Sequence, residues 1–298
     1  MPEEDGERPP TEPKPPPPPP PPALSPPVPP VLAKSKFFKT VAENSDPSVA
    51  GCKELKRMIR NRQGRFSQEL KWLLYNKDVP SLIQEGPQCG LVALWMAGKL
   101  LDVAQEVPLD TVVNFAVSKG FTAQGEMFSA ANVARLAEEV FGCRCRLLTG
   151  GMEGENRTRI LKQLTAGLPI LIPYDEDFNH EPCQRSGHRA HWAVISGVLV
   201  GMKNGSFEPD PEVPGLYHPT SDLRALEPGD ILETYLVAKQ GKSVRYQLWD
   251  YESVSRSNGQ LTQLDPKRAS DGSVYVVPEG GVRAGLCGQT VLLQPREA

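Results

Sequence analysis

One stretch of the chain combines a break, a cysteine and an apolar run with helical spacing. The pair Gly86-Pro87 interrupts the chain, and Cys89 follows two residues later. The apolar positions after it recur at three- and four-residue steps on one helical face: Leu91, Leu94, Trp95, Gly98 and Leu101. Such spacing is typical of an amphipathic helix that packs on a core. The sequence therefore predicts a buried helix with Cys89 in its first turn.

Similar periodicity predicts helices at 109–119, 129–141 and 159–166, the second with Ser129 as N-cap. Helical packing is also expected of the apolar positions between Leu55 and Leu74. Alternating or continuous apolar runs predict strands at 143–148, 168–174, 192–200, 231–237, 246–249, 274–277 and 289–293. Helices come first and strands later, so the predicted class is α+β, with N-terminal helices packed on a C-terminal antiparallel sheet.

The N-terminal 33 residues are dominated by proline, including eight in succession from Pro15 to Pro22. This composition cannot bury enough apolar surface to offset its ordering entropy, so we expect a disordered segment 1–33 followed by one domain, 34–298. Proline runs favour the extended polyproline II helix. The segment is either a stiff spacer or a ligand for an aromatic-lined groove of the SH3, WW or profilin kind.

The net charge and composition of the chain bear on which classes of binding partner to expect. Charged residues make up 23% of the chain and the formal net charge is −3, which gives no reason to expect nucleic acid or an anionic membrane as partner. The basic run from Lys53 to Arg65 is either a solvated face or a surface for an acidic partner. With no signal-type apolar start and no run of 18 apolar residues, we expect a soluble protein that is not secreted by the usual route.

The six cysteines do not form a dense framework in a chain of 298 residues, so free thiols are expected. Cys143 and Cys145 alternate on a predicted strand and are expected to be core or near-core thiols, not metal ligands. Cys89 differs because a helix start lowers the pKa of a thiol and favours the reactive thiolate. The alternative for Cys89 is a small buried hydrophobic side chain.

Partners for a nucleophilic Cys89 occur elsewhere in the chain. Gln84 is placed to supply an amide N–H₂ beside the Cys89 backbone N–H, a pair that would form an oxyanion hole. His191 stands at the start of the strand 192–200 and is the candidate general base, with His188 as the weaker alternative. Asp250 follows a later strand, where its carboxylate could fix the histidine tautomer.

In order, the candidates are an oxyanion glutamine, a nucleophile, a base and an orienting acid. That order resembles the papain-like cysteine peptidases, and within them the branch that processes bacteriocin leaders. The matching segments are Gln84, Cys89-Gly90, Gly167-Leu168-Pro169, His191-Trp192-Ala193-Val194-Ile195 and Trp249-Asp250. The chain departs from the pattern at Tyr251, where the family usually has proline, so Asn258 is the alternative orienting residue. The resemblance implies a papain-like fold over residues 80 to 260 and a thiol hydrolase that needs no metal or cofactor.

A narrower resemblance is to the peptidases that mature the N terminus of actin. It is carried by the proline-rich N-terminal segment joined to Gly86–Leu91, by Gly187–Trp192 and by Leu248–Glu252. It implies a cytoplasmic enzyme that removes the N-acetylated first residue of actin, N-acetylmethionine or N-acetylcysteine. It also implies that the proline run binds profilin. The alternatives are another thiol acyl hydrolase, of deubiquitinating or deamidating type, and a non-catalytic adaptor that uses the proline-rich segment.

Overall fold

A computed structural model describes residues 47–101, 106–205, 207–218 and 228–296. The predictions made for segment 1–33 lie outside these residues. All described residues belong to one compact unit, Ala33–Ala298. No helix in the described ranges is both long enough and apolar enough to cross a membrane.

Helices and strands are numbered here in chain order. The helices are α1 (Pro47–Arg62), α2 (Cys89–Gly98), α3 (Leu109–Ser118), α4 (Ala130–Phe141), α5 (Glu155–Thr165), α6 (Tyr251–Asn258), α7 (Pro266–Ser270) and α8 (Gly281–Leu286). The strands are β1 (Lys71–Asn76), β2 (Arg144–Leu148), β3 (Ile170–Glu176), β4 (Pro182–Cys183), β5 (Ala190–Met202), β6 (Glu208–Pro209), β7 (Leu216–His218), β8 (Ile231–Gln240), β9 (Ser243–Asp250) and β10 (Thr290–Gln294).

The described strands form one sheet built around the long strand β5. The order is β2-β10-β3-β5-β1-β7-β6, with β4 added to β3, β8 to β5 and β9 to β8. Strand β5 pairs with β3 through its first half, with β1 through its second half and with β8 along its other edge. Every pairing is antiparallel except that of β1 with β7. At the start of β5, Ala190 to Trp192 pair with β3, which fixes the backbone of the residues there.

Successive side chains of β5 point to opposite faces of the sheet and enter two different cores. Trp192 and Val194 pack with helices α2, α3 and α4. Ala193 and Ile195 pack on the other face, with residues of α5 and α6. Helix α2 is buried almost all round, since Leu91, Val92, Ala93 and Leu94 are all fully buried. A helix that is apolar on every side is expected in such a position.

The predicted α+β class is confirmed, with helices α2 to α4 packed on a large, mainly antiparallel sheet. Ser129 caps α4 as predicted, accepting from the Asn132 N–H. Two local predictions are wrong. Leu73 and Leu74 belong to strand β1, and Leu70 lies just before it, because pairing with β5 outweighs their helical spacing. Residues 274–277 are not a strand, because the Val276 N–H donates to the Glu126 carboxylate instead of a neighbouring strand.

Candidate active site

Cys89 is the first residue of α2, and its side chain is 7% exposed. The first N–H groups of a helix have no partner within the helix and carry the positive end of its dipole. Gly90 follows because the helix lies close to its neighbours: a Cβ there would be 2.8 Å from the Met127 Cβ and 3.1 Å from the Trp192 Cδ1. The glycine lets Cys89 approach the start of β5.

A small cleft opens at Cys89, which we call the Cys89 cleft. Its volume is about 230 Å³ including its open mouth. It is lined by Pro87, Cys89, Glu126, Met127, Phe128, Ala190, Trp192, Arg268 and Leu286. The buried thiol is therefore reached from outside along a mostly apolar path with one cationic side chain.

The groups around the Cys89 thiol shift its pKa in both directions. Burial raises the pKa of Cys89, and an interaction with the Trp192 backbone lowers it. The positive charges of Arg268 and Lys242 also lower this pKa, and the negative charge of Glu176 raises it. Because burial is the largest effect, the neutral thiol is favoured in the free protein.

His191 lies at the start of β5 and is 3% exposed. Its Nε2 is 3.1 Å from Oε1 of Gln240, the last residue of β8. The same oxygen accepts the Lys242 backbone N–H at 2.6 Å, which identifies it as the acceptor end of the amide. Nε2 of His191 must therefore carry the hydrogen in the neutral ring, and Nδ1 keeps its lone pair. This is the tautomer that a general base acting through Nδ1 requires.

The His191 ring is enclosed by aromatic and charged groups. The Tyr174 ring meets it edge-on, with centroids 5.9 Å apart. Burial lowers the pKa of His191 to about 4, against the opposing effect of the Glu176 charge, which raises it. The imidazole is therefore neutral at neutral pH.

Glu176 ends strand β3 and is a buried carboxylate, 1% exposed. Its partners are Lys242 Nζ, His180 Nδ1 at 3.0 Å and Arg189 Nη2 at 3.4 Å. Burial raises its pKa, but the interaction with His191 and the hydrogen bond from Lys242 outweigh this and lower it overall. Glu176 is thus an ionised carboxylate near the candidate base, held by Lys242 from the β8–β9 turn and by Arg189 from the loop before β5.

Cys89, on α2, and His191, within β5, both lie near the start of β5 but pack on different clusters. The thiol belongs to the core cluster on the helical face, and the His191 ring packs against Tyr174 of the opposite cluster. No hydrogen bond joins these two described side chains. Catalytic hydrogen bonds are often long in unliganded enzymes and tighten when substrate binds.

Gln84 lies between the Cys89 segment and the β8–β9 turn. Its backbone N–H donates to the Gly241 carbonyl at 2.7 Å. Its Nε2 donates to the Gly86 carbonyl at 2.7 Å, so one of its two amide hydrogens is engaged and the other is available. Gln84 is therefore held next to the loop that leads into Cys89, while its Oε1 is buried without a partner among the described residues.

Among the described residues, neither Asp250 nor Asn258 makes a hydrogen bond to His191. Asp250 is the N-cap of α6, and its Oδ1 accepts from the N–H and the hydroxyl of Ser253, both at 2.8 Å. Asn258 is buried, and its Nδ2 donates to the carbonyls of Pro173 and Gln289, both at 2.9 Å. The histidine contact predicted for Asp250 is made by Gln240.

Comparison with known proteins places the chain in a family. Residues 79–199 match the family model described as "Actin maturation protease-like, C-terminal domain", a range that includes Cys89 and His191. A Xenopus tropicalis protein named "Actin maturation protease" is 73% identical over 270 residues, which cover 91% of this chain and 89% of that protein. The Homo sapiens protein of the same name is 53% identical over 274 residues, covering 89% and 78% of the two chains.

The chain belongs to the actin maturation protease family. It is therefore a member of a family of proteases, as the resemblance implied. A solved structure described as a putative C39-like peptidase from Bacillus anthracis aligns with 76% of this chain and 99% of its own, at 11% identity and a TM-score of 0.39. The family assignment rests on the sequence relatives.

Three residues near Cys89 and His191 in this member of the actin maturation protease family were not predicted from the sequence: Gln240, Glu176 and Arg268. Gln240 ends a strand before a Gly-Lys turn, a common place for a polar residue that carries no chemical signal. Only the β5–β8 register, which pairs Ala193 with Gln240, brings that amide to His191. Glu176 had one usable signal, since a charged residue directly after the apolar run 168–174 needs partners if it is buried.

Proposed function

We propose that this chain is a cysteine protease that removes the N-acetylated first residue, N-acetylmethionine or N-acetylcysteine, from actin. Its relatives carry the name actin maturation protease, which supports actin as the substrate. A cytoplasmic location belongs to the same proposal and is tested by cell fractionation.

One observation carries the cysteine type: the thiol of Cys89 lies at the start of a buried helix and lines a cleft, beside strand β5, whose second residue is His191. The helix start stabilises the thiolate once His191 has taken the proton, and the cleft gives the nucleophile access. In the described ranges the other cysteines are Cys52, Cys143, Cys145, Cys183 and Cys287, and none of them lines this cleft. Cys89 is therefore the thiol that we assign to the reaction.

The reaction begins with transfer of the thiol proton from Cys89 to Nδ1 of His191. The sulfur then attacks the carbonyl carbon of the acetylated residue, and the carbonyl oxygen becomes an oxyanion. The Cys89 backbone N–H and the second amide hydrogen of Gln84 are the donors that we assign to that oxyanion. His191 returns the proton to the leaving amine of the next residue as the C–N bond breaks.

Hydrolysis of the acyl-enzyme completes the cycle. Water gives a proton to His191 and attacks the thioester, which releases the acetylated amino acid and restores the thiol. Gln240 accepts the His191 Nε2–H throughout and keeps Nδ1 as the reacting nitrogen. The Glu176 carboxylate stabilises the imidazolium that forms in both steps, because a nearby negative charge favours the protonated ring.

The test uses an acetylated actin N-terminal peptide, with the product mass followed over time. The wild-type chain should release the acetylated first residue, and Cys89→Ala should release none above the uncatalysed rate. Cys143→Ala, in a thiol outside the Cys89 cleft, is the matched control and should keep most of the turnover. Cleavage of a ubiquitin fusion or an amide side chain in place of this peptide would indicate the deubiquitinating or deamidating alternative.

We also propose that the proline-rich segment 1–33 binds profilin and brings the actin that profilin carries to the enzyme. A polyproline II segment has few conformations to lose on binding, and tethering raises the local concentration of the cargo. Deletion of residues 1–33 should leave cleavage of a short free peptide unchanged and slow cleavage of profilin-bound actin. Equal slowing of both substrates would assign the segment to the catalytic domain, and no slowing of either would make it a spacer.

A further inference from the structure

Arg268 is the cationic side chain in the Cys89 cleft. It lies on the short helix α7 and is half-buried. Its guanidinium stacks over the rings of Phe128 and Tyr275, at 5.5 and 5.7 Å from their centroids. Two aromatic faces thus hold the group flat at the wall of the cleft, close enough to lower the pKa of the Cys89 thiol.

The Arg268 guanidinium carries five N–H donors that can bind an anion. Within the ranges that the structure describes, no hydrogen bond or ion pair joins it to another side chain or to the backbone. The carboxylate of Asp271 interacts with its charge, but that group accepts the Tyr275 hydroxyl at 2.6 Å and the Ser273 N–H at 2.8 Å. A buried or half-buried arginine usually binds a carboxylate or a carbonyl, since its five donors are costly to leave unpaired.

The acidic group in the same cleft does not serve as that partner. Glu126 is 1% exposed, and its two carboxylate oxygens accept four hydrogen bonds. The donors are the Thr122 hydroxyl and the backbone N–H groups of Ala123, Gln124 and Val276. Glu126 therefore holds its own loop together, and Arg268 remains the group able to receive an anion at the nucleophile.

We propose that Arg268 binds a carboxylate of the substrate chain close to the scissile bond, so that the enzyme selects peptides with an acidic side chain there. The inference rests on the proposed function, because it assigns a subsite of the same cleft. A planar guanidinium presents two parallel N–H donors to a carboxylate, and the apolar cleft walls strengthen the pair by excluding water. An amide of the same shape offers one acceptor and no charge, which makes asparagine the matched probe.

The experiment compares acetylated peptides that differ only by Asp or Asn at one of the first three positions after the scissile bond. The wild type should show a kcat/KM ratio of roughly tenfold or more in favour of Asp at one position, as a charge-assisted hydrogen bond supplies. Arg268→Met keeps an apolar stem against the two rings and should bring that ratio to within about twofold. Lys267→Met, an exposed lysine next to it outside the cleft, should keep the wild-type ratio.

Three outcomes overturn the inference: a wild-type ratio near one at all three positions, a ratio that Arg268→Met leaves intact, or an equal fall with Lys267→Met. In the first case cleavage itself still supports the proposed function. Thermal unfolding of each variant and the charge-retaining Arg268→Lys exclude a loss of folding as the cause. A binding measurement in the Cys89→Ala background separates the two proposals further, because tighter binding of the Asp peptide that depends on Arg268 supports the subsite without turnover.

Discussion

At the residue scale, the side chain of Gln240 determines what His191 can do. Its Oε1 accepts the Lys242 backbone N–H at 2.6 Å and lies 3.1 Å from His191 Nε2. The same oxygen accepts from both donors. A flip of the Gln240 amide would therefore place its N–H₂ group against the Lys242 N–H, where no acceptor remains. In the proposed mechanism the glutamine performs the task that the aspartate performs in a Ser-His-Asp triad, without adding a charge.

The first prediction ranks the two candidate orienting residues. Gln240→Leu removes the acceptor at similar size and should lower kcat/KM by about 10²-fold, because a displaced base loses its alignment. Gln240→Glu retains an acceptor and should recover part of the rate. Steady-state kinetics on the acetylated peptide measure both.

Asp250 supplies the comparison for that ranking. Asp250→Asn should leave the rate close to wild type, since asparagine is also a good N-cap. Asp250→Ala should cost about 0.5–2 kcal/mol of stability through the lost cap of α6, with little change in the rate of the folded fraction. A large loss of rate in Asp250→Asn would return the orienting role to this carboxylate.

The second prediction compares the two histidines beside β5. His191→Ala should lower kcat/KM by about 10²–10⁴-fold, the usual contribution of a general base. His188 is the matched control, because its Nε2 lies 2.9 Å from the Gln263 side chain and it takes no part in the Gln240 network. His188→Ala should have the milder effect, and the reverse ranking would identify His188 as the base.

The third prediction concerns the pH dependence of kcat/KM, which reports the free enzyme. Burial lowers the pKa of His191 to about 4, below its ordinary value of about 6.5. The neutral base therefore persists at pH 5, and the rate should fall only as the pH drops through about 4. Tryptophan fluorescence at each pH verifies that the protein is folded, and an acid limb near 6.5 would contradict the buried, neutral ring.

At the scale of the elements, the helix that begins at Cys89 and the strand that carries His191 were predictable from the sequence, and their contacts were not. The period around Cys89 predicts α2, and the apolar run after His191 predicts β5. The edge of β5 on which β8 pairs depends on long-range register, which local periodicity does not contain. For that reason Cys89 and His191 were found from the sequence, whereas Gln240 and Glu176 appear only in the folded chain.

The fourth prediction tests how closely β5 packs on β1. A Cβ on Gly197 would lie 2.1 Å from the Tyr75 carbonyl oxygen and 2.7 Å from the Asn76 Cα, both backbone atoms of β1. Gly197→Ala should therefore destabilise the fold by about 1–3 kcal/mol or more, because backbone cannot move aside as a side chain can. Urea unfolding measures the change.

Gly64→Ala is the matched control. Nothing lies within 4 Å of a Cβ at Gly64, so its effect should stay within about 0.5 kcal/mol. Equal stability of the two variants would mean that β1 and β5 are farther apart than described.

At the scale of the whole molecule, a buried carboxylate joins the first described helix to the sheet. Asp210 Oδ2 lies 2.7 Å from Lys56 Nζ of α1 and 2.7 Å from His218 Nε2 of β7. Its Oδ1 accepts the backbone N–H groups of Glu212 and Val213. Burial alone would raise the pKa of Asp210, but these hydrogen bonds outweigh it and hold the pKa well below its usual range.

The fifth prediction follows from that lowered pKa. A carboxyl that is more acidic when folded stabilises the fold above its unfolded pKa of about 3.9 and loses this contribution as the pH falls through its folded value. Asp210→Asn should therefore be clearly less stable than the wild type at pH 7, and the difference should shrink below pH 4. Glu208→Gln, an exposed carboxylate on β6, is the control and should show little difference at either pH. A difference between Asp210→Asn and the wild type that is the same at every pH would contradict the linkage.

The turn between β8 and β9 has a practical consequence for anyone who wishes to label or split this enzyme. Three consecutive residues there hold three different parts of the chain: Gln240 the His191 ring, the Gly241 carbonyl the Gln84 backbone, and Lys242 the Glu176 carboxylate. Hairpin tips are the usual choice for inserted tags and for the break points of split proteins. In this molecule such an insertion should give a folded but inactive product.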